Sequence, residues 1–218
     1  MQLHYIERTL PDLLMGLALS AELAAFGILF AFIWASILVA GTRSPIVLLR
    51  FVSRQLVDFA RYTPVLLQLF VLYFGLPFIG ITLSAFFCGV AALAFQQGAY
   101  LAAIFRGGID SLDKHQLQCG VALGLRRRTV FWTIMLPQAL IKMLPAIGNQ
   151  VILLFKDTTI VAAIGIMEAT MTAKVLSEQS GATYFLFLMV AVIFIIATSI
   201  LGLVVRSLEG IRRRRYGI

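Results

Sequence analysis

The 218-residue chain is 61% hydrophobic and only 13% charged, with a mean hydropathy of +0.96. Soluble domains run nearer about half apolar and about a quarter charged, so a lipid-embedded protein is expected. The net charge of +8 would suit nucleic acid, but the basic residues fall in short loops between apolar runs, where they set membrane orientation, and a nucleic-acid partner is excluded.

Crossing the hydrocarbon core takes roughly 20 apolar residues. In chain order the stretches that qualify are Leu13–Ala40, Val57–Ile79, Leu83–Phe105, Leu140–Ile164 and Tyr184–Val205, which predicts an all-α membrane protein with five spans. Ahead of the first run lies a mixed tail with Glu7, Arg8 and Asp12. The run is too long for a signal-peptide core, so a retained helix is expected. A short turn from Gly75-Leu76-Pro77 to Gly80 joins the second and third spans, and Lys156 and Asp157 interrupt the fourth.

The basic residues then set the orientation. Residues 41–61 carry Arg43, Arg50, Arg54 and Arg61, and residues 106–142 carry Arg106, Lys114, Arg126, Arg127, Arg128 and Lys142. The tail adds Arg206 and Arg212 to Arg215. Of the 18 basic residues, all but Arg8, Lys156 and Lys174 share one face if the N-terminus is outside. Positive charge stays inside, so the N-terminus is expected to be extracytoplasmic and the C-terminus cytoplasmic. Cys88 and Cys119 then lie towards opposite sides and cannot pair, and their spacing suits no metal. No repeat is visible, so a single transmembrane domain over 1–218 is expected; an odd span count excludes two equal inverted halves and points to a dimer with a path along its interface.

The polar insert between spans three and four, about residues 106–139, is placed in the cytoplasm. Ser111 or Asp113 is placed to cap a helix of about Asp113–Leu123, with Leu117, Val121 and Leu125 as its apolar stripe. Gly124 tolerates the positive φ with which helices often end. Arg126 to Arg128 open a second amphipathic piece carrying Val130, Phe131 and Ile134, and Pro137 is expected at the start of the next span. The competing reading lays the insert on anionic membrane lipid through its arginines. A glycine-hinged helix pair that is polar around most of its surface suits a groove on a soluble protein better.

The insert resembles the coupling loop of ABC-importer membrane subunits, which carries Glu-Ala-Ala, a later glycine and a hydrophobic-x-Leu-Pro ending. Gly124 holds the glycine place, Ile134-Met135-Leu136-Pro137 the ending, and Gln118-Cys119-Gly120 replaces Glu-Ala-Ala. Arg61-Tyr62-Thr63-Pro64-Val65-Leu66-Leu67-Gln68, Tyr73-Phe74-Gly75-Leu76-Pro77, Ala99-Tyr100-Leu101-Ala102, Phe105-Arg106-Gly107-Gly108-Ile109 and Lys156-Asp157-Thr158-Thr159 are similar, in the same order, to motifs of the polar-amino-acid permeases. The resemblance implies a multi-pass inner-membrane permease subunit that imports polar amino acids or related small polar solutes. Its implied partners are a separate ATP-binding subunit, a second identical or related permease subunit and an extracytoplasmic solute-binding protein. Asp113, Gln118, Cys119, Gly120, Gly124, Leu125, Leu136 and Pro137 are the implied coupling positions.

Polar groups at bilayer depth are costly and point to a pathway or a partner. Thr63, Pro64, Gln97, Tyr100, Asp157 and Thr158 are the candidates for a substrate path, and the change of character at Lys156–Thr159 suits a local break in the fourth span. For Lys156 and Asp157 the equal alternative is that each satisfies a neighbouring helix and fixes packing, and glutamines in spans more often hydrogen-bond between helices than bind ligands. No G-x-x-x-x-G-K-[ST] loop is present, so no ATPase site is expected in the chain, and no bound cofactor; ATP belongs to the partner. The alternative is an ion- or proton-coupled carrier using Lys156, Asp157 and Glu22.

Overall fold

The computed structural model describes residues 2–113 and 115–216, with no side-chain description for residues 2–6 and 209–216. Lys114 and the side chains of Arg212 to Arg215, which entered the charge count, lie outside the described residues. Every regular element among those described is helical. α1 runs Gln2–Thr42, α2 Val47–Tyr62, α3 Val65–Ile79, α4 Ala85–Asp110, α5 His115–Ala122, α6 Arg127–Ile164, α7 Ala169–Ser180 and α8 Thr183–Tyr216.

α4 is the central element: 67% of its apolar window is buried, against 11% for α8. Ser84 opens it, its hydroxyl accepting from the Phe87 amide at 3.2 Å. α1 packs along it through small residues, with Ala24, Ala31 and Ala35 buried beside Ala94, Ala99 and Ala102. Small side chains allow close backbone approach, the usual means of holding helices together where lipid supplies no hydrophobic drive between them. Larger apolar residues face outward instead: Leu29, Ile33 and Ile37 on α1, and Ile195, Ile196 and Leu203 on α8, are all exposed. Such a surface suits hydrocarbon on its outside.

Four helices are long and apolar enough to cross a bilayer, Glu7–Thr42, Ala85–Asp110, Arg127–Ile164 and Thr183–Leu208. The expected second span, Val57–Ile79, is not one straight helix. The chain turns by 104° between α2 and α3, and only the bent pair together makes a fifth candidate. Pro64 is the cause: its ring disfavours a helical Thr63, whose ψ is 136°, and it brings no amide hydrogen. α3 alone rises about 22 Å, short of the roughly 30 Å of hydrocarbon.

The expected division between the second amphipathic piece and the fourth span is also absent. α6 runs through both, from Arg127 to Ile164. Pro137 therefore lies inside a helix rather than at its start. The chain tolerates it by widening into a π turn over Val130–Met135, in which the Leu136 amide donates to the Phe131 carbonyl five residues back. α3 does the same before Pro77: Val71–Gly75 is a π turn and the Leu76 amide donates to Val71. At its far end α6 tightens to a 3₁₀ turn over Thr158–Ile164, directly after Lys156-Asp157, and stops at Gly165.

Candidate functional site

Three polar groupings stand out among the apolar helices. The first is α5 and its attachments. The Asp113 carboxylate accepts from the His115 amide at 2.9 Å, while Ser111 donates back to the Gly108 carbonyl at 2.8 Å, so Asp113 rather than Ser111 opens the helix. Gly124 takes φ +83°. The Leu125 amide reaches the Gly120 carbonyl and the Gly124 amide reaches Val121, the paired bonds of a Schellman ending. The inward side of α5 is Leu117 and Gly120; Val121 and Leu125, expected on the apolar stripe, are each 40% exposed. Gly120 is buried where a Cβ would lie 2.5 Å from Val130 Cγ2. Its absence of a side chain lets α5 sit on the first turns of α6. Gln116 and Gln138 exchange amide hydrogen bonds at 3.0 and 3.1 Å across the same junction. Outward, α5 presents Gln118 and Cys119, and the turn after it the 82%-exposed Leu123. Leu136 is half-buried and Pro137 exposed on α6.

The second grouping clamps the Thr63-Pro64 bend. Without an amide hydrogen on Pro64, the Ala60 carbonyl loses its helical donor, and Gln68 Nε2 replaces it at 3.0 Å. The Thr63 carbonyl, freed because the Leu67 amide bonds Pro64, accepts from Gln68 Nε2 and from Gln96 Nε2 of α4 at 3.0 Å. Arg61 lies over the Tyr100 ring, 5.2 Å from its centroid, and Tyr100 donates to the Arg61 carbonyl. Gln68 Oε1 and Arg61 Nε are buried with no partner among the described residues.

The third is an amide relay between α4 and α6. Gln150 donates to Gln97 Oε1, and Gln97 Nε2 donates to Asp157 Oδ2 at 2.5 Å. Gln97 is 3% exposed. Gln97 and Asp157, read from the sequence as one site, do meet. Tyr100 belongs to the bend instead, and Thr158, fully buried, spends its hydroxyl on the Phe155 carbonyl. Gln150 was missed; its place seven residues before Asp157 on one helix face was the available signal. Lys156 and Glu22 are exposed, and neither they nor Asp157 form an ion pair among the described residues. α6 also turns Asn149 and Lys156 outward.

A further buried carboxylate, Glu168, escaped the sequence reading. It caps α7, accepting from the Met171 amide at 2.9 Å, and receives the Ser20 hydroxyl of α1 at 3.4 Å. Gly16 admits the start of α7, since a Cβ there would lie 2.7 Å from the Ala169 nitrogen. Burial pushes the Glu168 carboxyl above the usual range, with the hydrogen bonds from Met171 and Ser20 opposing.

Known proteins place this architecture. The chain is 33% identical over 202 residues, 92% of its length and 87% of the relative's, to a protein of Sinorhizobium fredii named as a probable amino-acid ABC transporter permease. It is 34% identical over 160 residues, 72% of this chain and 73% of the other, to the glutamine transport system permease GlnP of Escherichia coli. A crystal structure of an amino acid ABC transporter with histidines superposes with a TM-score of 0.90 at 28% identity, covering 95% of this chain and 96% of that one. Residues 27–211 match the family of binding-protein-dependent transport system inner membrane components, and the chain belongs to that family.

Proposed function

We propose that this chain is the permease subunit of an ABC importer for polar amino acids, working in a bacterial inner membrane with its C-terminus and α5 in the cytoplasm. The observation that carries the reading is α5: a short helix, outwardly exposed, yet tied to α6 by Gly120 against Val130 and by the Gln116–Gln138 pair. An ATP-binding subunit docked on Gln118, Cys119 and Leu123 would push α6 directly, because α6 continues unbroken from Arg127 to Ile164. Asp113, Gly124 and Leu125 set the helix ends, and Leu136-Pro137 sits beyond the π turn that passes the push on. ATP belongs to that partner. Motion follows when the partner's ATP-bound state has higher affinity for one arrangement of the permease than the other.

The substrate path is assigned to the side where α6 turns Asn149 and Lys156 outward, completed by a second permease subunit, since polar side chains at bilayer depth call for water or a partner. The Gln97–Asp157 relay and the Thr63-Pro64 bend, with Tyr100 beside it and Thr158 ending the regular helix, are the elements that line or move with it. An extracytoplasmic binding protein delivers the amino acid. A gradient-coupled carrier calls for ionisable groups shielded together, and Lys156 and Glu22 are exposed, with no ion pair to Asp157 among the described residues.

Two measurements test this. Affinity purification of the tagged chain in mild detergent recovers an ATP-binding subunit with wild type and loses it with Gly124→Trp. In proteoliposomes with the complete complex, uptake requires internal ATP and persists after ion gradients are collapsed. Uptake without ATP would sink the reading. Asp157→Asn and Gln97→Ala at normal expression are expected to lower transport; unchanged affinity and rate remove the relay from the path.

A further inference from the structure

Where α1 and α4 end, a cavity of about 430 Å³ opens beside the first turns of α6. Its walls combine two chemistries. Arg43, just past α1, and Arg127 and Arg128, opening α6, supply the cationic groups, while Leu117, Phe131 and Met135 supply an apolar floor. Asp110 is the sole lining acid, and it is paired with Arg43. Arg127 and Arg128 have no carboxylate partner among the described residues and remain exposed. The cavity therefore carries uncompensated positive charge at the level where helices leave the apolar zone.

We propose that this cavity binds an anionic phospholipid, its phosphate held by Arg127 and Arg128 and the start of an acyl chain lying on Leu117 and Phe131. The site rests on the proposed orientation, which puts this end of the bundle at the cytoplasmic leaflet, where anionic lipids concentrate. Basic pockets between helices at that depth suit such headgroups, and arginine matches phosphate through paired N–H donors. An acidic protein surface would use the cations but leave the apolar floor without function. Because Leu117 is on α5 and Phe131 on α6, an occupied cavity would brace the same junction that Gly120 and Val130 make. Lipid would then stiffen the link between the ATP-binding subunit and the spans.

The test is native mass spectrometry of the intact permease–ATPase complex, delipidated and then offered equal amounts of phosphatidylglycerol and phosphatidylcholine. Wild type is expected to retain phosphatidylglycerol preferentially. Arg127→Ala with Arg128→Ala should weaken that retention by about 30-fold, the effect of removing two such cations near the surface, and each single change by about five-fold. Arg127→Lys with Arg128→Lys should keep most of it, which separates lost charge from lost folding. Inorganic phosphate and glycerol phosphate should fail to compete at millimolar levels; full competition would mean a free-anion site and overturn the lipid assignment. Equal retention of the two lipids by wild type, or undiminished phosphatidylglycerol on the double alanine variant, also overturns it. So does loss of the ATPase from that variant while lipid is retained, because the arginines would then serve protein docking. Lipid retention is read by mass alone, so a failure of ATP-driven uptake leaves this test intact and separately counts against the proposed function.

Discussion

Proline enters the helices at Thr63-Pro64 and again at Leu136-Pro137, with opposite consequences. At the first the chain turns by 104°, and at the second α6 continues without a break. Each proline deprives a carbonyl four residues back of its donor. At Pro64 the Ala60 carbonyl is satisfied by Gln68 from the same segment, and the neighbouring Thr63 carbonyl by Gln68 and by Gln96 from α4. At Pro137 the backbone slips to bonds five residues apart, and Gln138 of the same helix donates to the Ile134 carbonyl. Pro64 forces Thr63 into an extended conformation, and the carbonyls at that break are satisfied partly from another helix, whereas at Pro137 the π turn and Gln138 keep the repair within α6. The difference teaches that what separates the two sites is whether the freed carbonyls find donors outside their own segment. The bend is consequently a cross-linked feature of the bundle, and the π turn a local one.

Several substitutions break or sharpen that contrast. The largest effect is expected at Gln68→Leu, which leaves the Ala60 carbonyl without a donor and the Thr63 carbonyl with Gln96 alone; at about 1–3 kcal/mol for an unsatisfied buried group, a loss of about 2–3 kcal/mol should appear in thermal unfolding of the purified complex. A change below about 0.5 kcal/mol would mean that the clamp does not hold the bend. Next is Gly120→Leu, which drives a side chain into Val130 at a cost of about 1–3 kcal/mol. The paired change with Val130→Ala should recover much of it, and an additive double mutant would deny the contact. Pro64→Ala returns an amide to compete with Gln68 for the Ala60 carbonyl. Spin labels at positions 50 and 78 should report a widened distribution of bend angles, whereas Pro137→Ala should leave labels across its own turn unmoved and stability within about 1 kcal/mol.

The smallest effect is a slope. Glu168 has a folded-state pKa raised by burial, so between its unfolded value near 4.3 and the raised value the folded state binds more protons than the unfolded. Its contribution to stability is thus fully present below about pH 4.3 and is lost as pH rises through the folded value. Glu168→Gln keeps an acceptor for the Met171 amide and should flatten the fall in melting temperature over that window. An unchanged slope would assign the pH dependence elsewhere.

Much of the architecture was legible before any coordinates. Long apolar runs predicted five helices of membrane-spanning length because hydrocarbon demands internally satisfied backbones, and the structure has four of them, the other being the bent α2–α3 pair. Gly124 was readable as a left-handed helix end because only a residue without a side chain takes φ +83° cheaply. The pairing of Gln97 with Asp157 was less legible: both were candidates for one path with Tyr100 and Thr158, and nothing in the linear pattern chose that pair. Gly120 shows the limit. By propensity it weakens α5, yet in place it is what allows contact with Val130, ten residues later in the chain.

Apolar length by itself determined where four helices of membrane-crossing length lie, because that follows from how each stretch partitions between lipid and water. Tertiary structure alone decided which proline bends its helix, which glutamine donates to which carbonyl and where Glu168 is buried. Those outcomes depend on side chains brought together from distant segments: Gln96 reaches Thr63, Ser20 reaches Glu168 and Gln116 reaches Gln138 only once α1, α4, α5 and α6 have packed. Hydrogen bonds operate over about 3 Å, and a linear pattern carries no information at that range.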